Sequence, residues 1–254
     1  MKLTAQQVYD KLINEERILE VDGRIKFYLG SVDIVVKQRD VVGNIIQEWL
    51  EGWLKRNDIE YDTNENTQMP PDFFLNTTDR TKDLLEVKAF YCKASPAFDI
   101  ADFVAYQREI IAKPYMLYVD YLIFAYDMLD DGTVVINNLW LKKVWQMTRR
   151  MAVFPITVQY KNGRIQKMRP GDIRKPKNDS QMYRCLEDYI SAIEETVYMC
   201  DQTHTEATTW KQRFLNSYKQ TYGISLVIPR FNDIKDTYPI TERSSPRTST
   251  AGRA

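Results

Sequence analysis

The sequence predicts an α/β (α+β) fold in which a mixed β-sheet is flanked by helices. Three observations carry this. Runs of β-forming residues flank Asp130-Asp131-Gly132 and again Asn162-Gly163, both strong hairpin signals. Segments with apolar residues at helical spacing precede and follow them. Between residues 59 and 91 the pattern shifts to short strands separated by polar stretches.

At the start, Thr4 caps a helix whose apolar positions Val8, Leu12, Ile13 and Ile18 recur at near-helical spacing, stopping before Asp22-Gly23. A hairpin follows over 24–29 and 31–37, with Gly30 as its turn. From 40 to 55, Val41, Ile45, Trp49, Leu50, Trp53 and Leu54 make one apolar helical face. Short strands are expected at 59–61, 73–75 and 84–90, then a helix over 100–112 capped by Asp99. The two hairpins pair 118–126 with 133–141 and 157–160 with 165–168. Helices over 183–199 and 206–221 follow.

A chain of 254 residues, 44% of them hydrophobic, can bury one substantial core, so 1–238 reads as a single domain with its catalytic core at about 40–145. Residues 239–254 lack core-forming side chains and are expected to be a disordered tail. The formal net charge is zero, so any surface for nucleic acid must be local.

Three cysteines, Cys92, Cys185 and Cys200, without a CxxC spacing, argue against a disulfide framework and a structural zinc site. The single histidine, His204, lies in a polar stretch and reads as a solvated loop residue, which removes histidine-based triads and nucleases. Residues 1–19 read as an amphipathic helix rather than a signal peptide, and no apolar run approaches the roughly 18 residues of a membrane span. The expectation is a cytoplasmic protein with no membrane contact. No GxxxxGK[ST] or glycine-rich loop after a strand is present, so no nucleotide cofactor is expected.

The chemistry concentrates in Met69-Pro-Pro-Asp72-Phe-Phe-Leu75 and, fourteen residues after Asp72, Leu84-Leu-Glu86-Val-Lys88. In a strand, residues two apart point the same way, so Glu86 and Lys88 project together while Val87 turns to the core. With the strand of Asp72 alongside, two carboxylates and an ammonium converge. Phosphodiester hydrolysis calls for that set, because Mg²⁺ prefers hard oxygen ligands and takes one or two carboxylates plus water and phosphate oxygens. Asp72 and Glu86 are therefore the candidate metal ligands. Lys88 would orient water or neutralise developing charge, and as a base it would need a pKa well below about 10.4. The bland alternative is an ordinary hairpin carrying surface acids and a lysine.

Two further stretches fit DNA. Asn64-Glu-Asn66-Thr-Gln68 is a polar loop whose amides suit groove edges and phosphates. Residues 161–177 hold seven cations, Lys161, Arg164, Lys167, Arg169, Arg174, Lys175 and Lys177, against the single acid Asp172. With the turns at Pro170-Gly171 and Pro176-Lys-Asn178-Asp179, the span 161–180 is a candidate groove-reading loop, since arginine bidentate to guanine is the commonest specific contact.

At these residues the chain closely resembles type II restriction endonucleases that recognise the palindrome GGNNCC, members of the PD-(D/E)xK superfamily. The resemblance rests on Val41-Val-Gly-Asn-Ile-Ile-Gln-Glu-Trp49, Thr67-Gln-Met-Pro-Pro-Asp-Phe-Phe-Leu75, Leu85-Glu-Val-Lys-Ala-Phe90, Phe98-Asp-Ile-Ala-Asp-Phe103 and Leu186-Glu-Asp, and spans residues 1 to about 238. It implies a restriction-endonuclease-like core and Mg²⁺-dependent cleavage of double-stranded DNA within GGNNCC, leaving 5′-phosphate and 3′-hydroxyl ends. It also implies a homodimer with one metal centre per strand. The same resemblance gives Asp72, Glu86 and Lys88 the motif's metal-ligand and lysine roles. It places Gln68 in the loop before the motif and the 169–178 loop, with Arg169, Arg174, Lys175, Lys177 and Asn178, at the major groove. An acid from the preceding helix often completes such centres, and Asp40 and Glu48 both qualify.

Two other readings use the same residues. A structure-selective or repair endonuclease would share Asp72, Glu86 and Lys88 but need no reading loop. A catalytically silent DNA-binding regulator would keep the acids as surface residues. A DNA methyltransferase is excluded by order: Pro70-Pro-Asp-Phe73 has an acid between proline and aromatic, and a chain of nine glycines offers no cofactor loop.

Overall fold

The computed structural model describes residues 1–65 and 69–240. Helix α1 (Ala5–Asn14) opens on a capping box, in which the Gln7 N–H donates to Thr4 Oγ1 while Gln7 Oε1 accepts from the Thr4 N–H. It is shorter than its apolar spacing predicts. Arg17 adopts a positive φ of 52°, so Ile18 reaches the core from a turn and not from the helix.

A short strand β1 (Asp22–Arg24) precedes the hairpin of β2 (Lys26–Leu29) and β3 (Val32–Val35), which turns at Gly30 with φ 60° as expected. A 3₁₀ turn at Arg39–Val41 leads into α2 (Val42–Arg56). The strand expected at 59–61 lies instead at β4 (Asp62–Thr63), because Ile59 is drawn into the core beside α1 and α2. Strands β5 (Phe73–Phe74) and β6 (Leu84–Tyr91) follow.

Helix α3 (Phe103–Ala112) begins three residues later than the sequence suggests, and its cap is Asp102, not Asp99: Asp102 Oδ1 accepts from the Ala105 N–H at 3.0 Å. The residues before it are committed elsewhere. Ile100 N–H donates to the Met168 carbonyl and Met168 N–H to the Ala101 carbonyl, which holds 100–101 extended. Strands β7 (Asp120–Met128) and β8 (Thr133–Lys143) form the long hairpin, and β9 (Val158–Lys161) and β10 (Arg164–Met168) the second one. At the tip between β7 and β8, Gly132 has φ 86°, and a Cβ there would meet Val35 Cγ1 at 2.4 Å, so only glycine lets this turn touch the base of the β2–β3 hairpin. Helices α4 (Leu186–Met199), α5 (Ala207–Tyr222) and α6 (Phe231–Ile234) complete the described fold. The tail expected to be disordered lies outside the described residues from 241 onward.

The main sheet runs β1-β8-β7-β6-β5-β4. It is mixed, as predicted: β6 and β7 are parallel, joined through α3, and the other neighbours are antiparallel. A hydrophobic core covers each face. One packs α1 and α2 on Leu85, Val87, Leu122 and Phe124. The other packs α3, α4 and α5 on Leu84, Phe90, Tyr121 and Ile123. Because β6 is buried on both faces, its side chains are apolar except where the site requires otherwise.

Candidate active site

On β6 alternate side chains face opposite layers. Leu85 and Val87 enter the α1–α2 core, while Leu84 and Phe90 enter the α3 side. Glu86 and Lys88 fall between them in that alternation, so both stand on the α3 side, as the spacing predicts. Lys88 Nζ lies 2.7 Å from Glu86 Oε1.

Asp72 immediately precedes β5, which pairs with the start of β6 through Phe73 opposite Leu85. Its Oδ2 accepts from the Val87 N–H at 2.8 Å, and its Oδ1 accepts from Gln47 Nε2 at 2.9 Å. Asp72, Glu86 and Lys88 thus meet in one cleft of about 420 Å³, whose other wall carries Asp99, Asp102 and Lys167.

The electrostatics follow from burial. Glu86 is 5% exposed, and its pKa is pushed up to about 7 because burial penalises the carboxylate more than Lys88 relieves it; Asp72 raises it further. Burial likewise raises Asp72, against the lowering effects of the Val87 N–H, Lys88 and Gln47. One atom stands out: Glu86 Oε2 is buried and has no hydrogen-bond partner among the described residues. An orphaned buried carboxylate oxygen costs free energy unless something else compensates it. A hard cation shared with Asp72 is a partner of the right chemistry, so the donor set fits a divalent metal. The described residues hold no group of three His, Cys, Asp or Glu side chains able to cage a metal alone, which leaves the remaining ligand positions to water and phosphate.

The two acids expected from the preceding helix are not in the cleft. Asp40 is exposed in the 3₁₀ turn and Glu48 is exposed on the outer side of α2, as is Trp49. The α2 residue that faces the carboxylates is Gln47. Its position was readable: Ile46, Leu50, Trp53 and Leu54 set the buried face, and Gln47 lies three residues before Leu50 and seven before Leu54.

Asn66 and Gln68 lie outside the described residues. In the basic segment, Lys161 to Met168 are largely the β9–β10 hairpin, and its end brings Lys167 to the cleft, a residue the sequence offers only as one cation among seven. Arg169 pairs with Asp99 at 2.9 Å and donates to Gln159 Oε1 and the Ala97 carbonyl. Arg174 forms a two-pronged pair with Asp172 and donates to the Cys92 carbonyl. Asn178 Nδ2 donates to the Asp172 carbonyl, whereas Lys175 and Lys177 are exposed. His204 is exposed, beside Tyr198, far from any role in the cleft, and the three cysteines are free thiols. Among the described residues no helix is long and apolar enough to cross a membrane.

Comparison with known proteins gives this geometry a family. The model of the NgoBV restriction endonuclease family matches residues 2–238. The type II restriction enzyme NlaIV of Neisseria lactamica is 58% identical over 241 residues, covering 94% of this chain and 98% of that protein. The type II restriction enzyme NgoBV of Neisseria gonorrhoeae is 58% identical over 161 residues, 63% of this chain and 91% of that one. The solved structure of NlaIV restriction endonuclease superposes with a TM-score of 0.91, covering 94% of this chain and 97% of that chain. This chain therefore belongs to the NgoBV restriction endonuclease family and is a type II restriction endonuclease.

Proposed function

We propose that this protein makes Mg²⁺-dependent double-strand cuts in DNA within the palindrome GGNNCC, leaving 5′-phosphate and 3′-hydroxyl ends. The observation that carries the chemistry is the partnerless, buried Oε2 of Glu86 beside Asp72 and Lys88 in an open cleft. The site sequence rests on the likeness of the quoted motifs to enzymes that recognise GGNNCC.

Asp72 and Glu86 would hold the metal. When bound, Mg²⁺ supplies Lewis acidity and charge neutralisation at the scissile phosphate. Lys88, held by Glu86, presents its ammonium at the same point, where it orients the attacking water or offsets charge growing on the phosphate oxygens. Gln47 and the Val87 N–H each occupy one Asp72 oxygen and fix the direction of that carboxylate.

Recognition falls to the span 161–180 and the loop of Asn66 and Gln68. The exposed Lys175 and Lys177 suit phosphates. Arg169 and Arg174 can read guanine only by exchanging Asp99 and Asp172 for the base, and Asn178 supplies an amide beside them. A twofold DNA site favours a twofold protein, so the working form is a homodimer with one centre per strand. Residues 1–238 act as one endonuclease domain in the cytoplasm, where the DNA is.

Digestion of one plasmid with Mg²⁺, followed by sequencing of the fragment ends, tests this reading. Cuts confined to GGNNCC and ending in 5′-phosphates are expected. Cuts at unrelated sequences or at unpaired structures would favour a structure-selective nuclease instead.

A further inference from the structure

The β2–β3 hairpin presents a surface that a solitary chain has no reason to keep. Its register pairs Phe27 with Ile34 and Leu29 with Val32, so these four side chains share one face. All four are apolar and solvent-exposed, at 53%, 52%, 73% and 62% of their full areas. The pair forms a separate two-stranded sheet, whose base is steadied by the contact of Val35 with the Gly132 turn. A two-stranded hairpin with an apolar face is marginal in water, and exposed hydrophobic patches of this kind mark association surfaces.

We infer that this face is the contact between two copies of the chain, each hairpin laying its Phe27, Leu29, Val32 and Ile34 against those of the other. The inference rests on the dimeric nuclease reading and supplies its interface. Charge selects the occupant. The face carries no cation, so it has nothing to offer a phosphate backbone. In a twofold contact, residues near the axis meet their own copies, so a charge there would oppose itself; a face without charges escapes this. Two such faces can stack as two packed sheets do, about 10 Å apart.

Area points the same way. A stable dimer needs roughly 800 Å² per partner, more than four side chains supply. The apolar surface continues at the base of the hairpin, however. Ile25, whose carbonyl accepts from the Val36 N–H, lines an open apolar pocket of about 180 Å³ with Val21, Ile45 and the exposed Trp49. Hairpin and pocket together form one continuous contact region. The described residues also hold one carboxylate–lysine cleft per chain, so cutting both strands in one encounter requires a second copy.

The test is sedimentation of the full chain and of the variants Leu29→Asp and Ile34→Asp, each also followed by circular dichroism and by cleavage of a supercoiled plasmid carrying GGNNCC. The natural chain should sediment at twice its 30.0 kDa mass. Each variant should raise the dimer dissociation constant roughly thirtyfold or more while keeping its spectrum and melting temperature, and should accumulate nicked circles. Tyr28→Ser, on the hairpin's opposite face, should leave the dimer intact. A monomeric natural chain, or folded variants that stay dimeric, overturns the inference and leaves the nuclease reading standing. Dimeric variants that lose DNA binding assign the face to DNA and overturn it too. If the natural chain dimerises through this face but cuts nothing, the interface stands and the nuclease reading falls.

Discussion

Lys88 Nζ sits 2.7 Å from Oε1 of Glu86, two residues back on the same buried strand, while the other Glu86 oxygen is left without a hydrogen-bond partner. One carboxylate therefore has two faces with different tasks. Oε1 steers the lysine, and Oε2 is kept in reserve for a cation.

Stability should carry the signature of that carboxyl. The Glu86 pKa is raised from 4.5 to about 7, chiefly by burial, so the native state holds a proton that the unfolded chain releases. Its contribution to stability is full below pH 4.5 and is lost as pH rises through about 7. Urea unfolding at a series of pH values should show this fall in the natural protein, and Glu86→Gln should flatten it. A slope that persists in the variant would assign the effect to another group.

Metal should act as a stabilising ligand in the absence of DNA. Binding the native state alone adds about 2.7 kcal/mol at a hundredfold excess over Kd. Thermal melts should rise by several degrees with Mg²⁺, more at pH 8 than at pH 5.5, where Glu86 keeps its proton. Chelation should reverse the gain. Asp72→Asn and Glu86→Gln should each abolish it, and an equal rise in both variants would place the cation elsewhere.

Lys88→Ala should slow cleavage by about a hundredfold or more while leaving metal-supported DNA binding largely intact, because an ammonium that meets developing charge serves the transition state more than the ground state. Removing it also removes what holds Glu86 down, so the Glu86 pKa rises and the rise in activity with pH moves to higher pH. Single-turnover rates and binding titrations separate the two effects, and an equal loss in both would count against this role.

Gln47→Ala should cost roughly tenfold in cleavage through misdirection of Asp72, in the range seen when partners of metal-binding groups are removed. Asp72 loses a hydrogen bond that lowers its pKa, so the acid limb of the pH–rate profile should shift upward. An unchanged profile with reduced stability would make Gln47 merely structural. The sequence hid this residue because an amide on a helix flank carries no charge signal, and Glu48 beside it does. Helical phase distinguishes them: the face set by Ile46, Leu50 and Leu54 turns Gln47 inward and Glu48 out.

What was legible elsewhere followed a period or a turn dipeptide. Strand alternation put Glu86 with Lys88, and Asp-Gly and Asn-Gly placed both long hairpins. What was not legible depended on contacts remote in sequence. The α3 cap moved from Asp99 to Asp102 because residue 100 bonds to Met168, and no local pattern announces that pairing. For the same reason the basic segment read as free cations, although Arg169 reaches back seventy residues to Asp99.

Those pairings set a specific expectation for recognition. Lys177→Ala should weaken binding at all sequences and reduce the salt slope by about 1, as loss of one phosphate contact does. Arg174→Ala should instead cost roughly 1–3 kcal/mol and relax discrimination at one base pair. Uniform weakening by Arg174→Ala would confine that arginine to holding the loop through Asp172.

The central claim is that the cleft of Asp72, Glu86 and Lys88 is where DNA is cut. Cleavage of a GGNNCC plasmid by Asp72→Ala and Glu86→Gln proteins, each shown folded and still DNA-bound, tests it most directly. The account predicts intact supercoiled DNA with either variant and complete double-strand cutting by the natural chain. Cutting by both variants at rates near the natural one would contradict it.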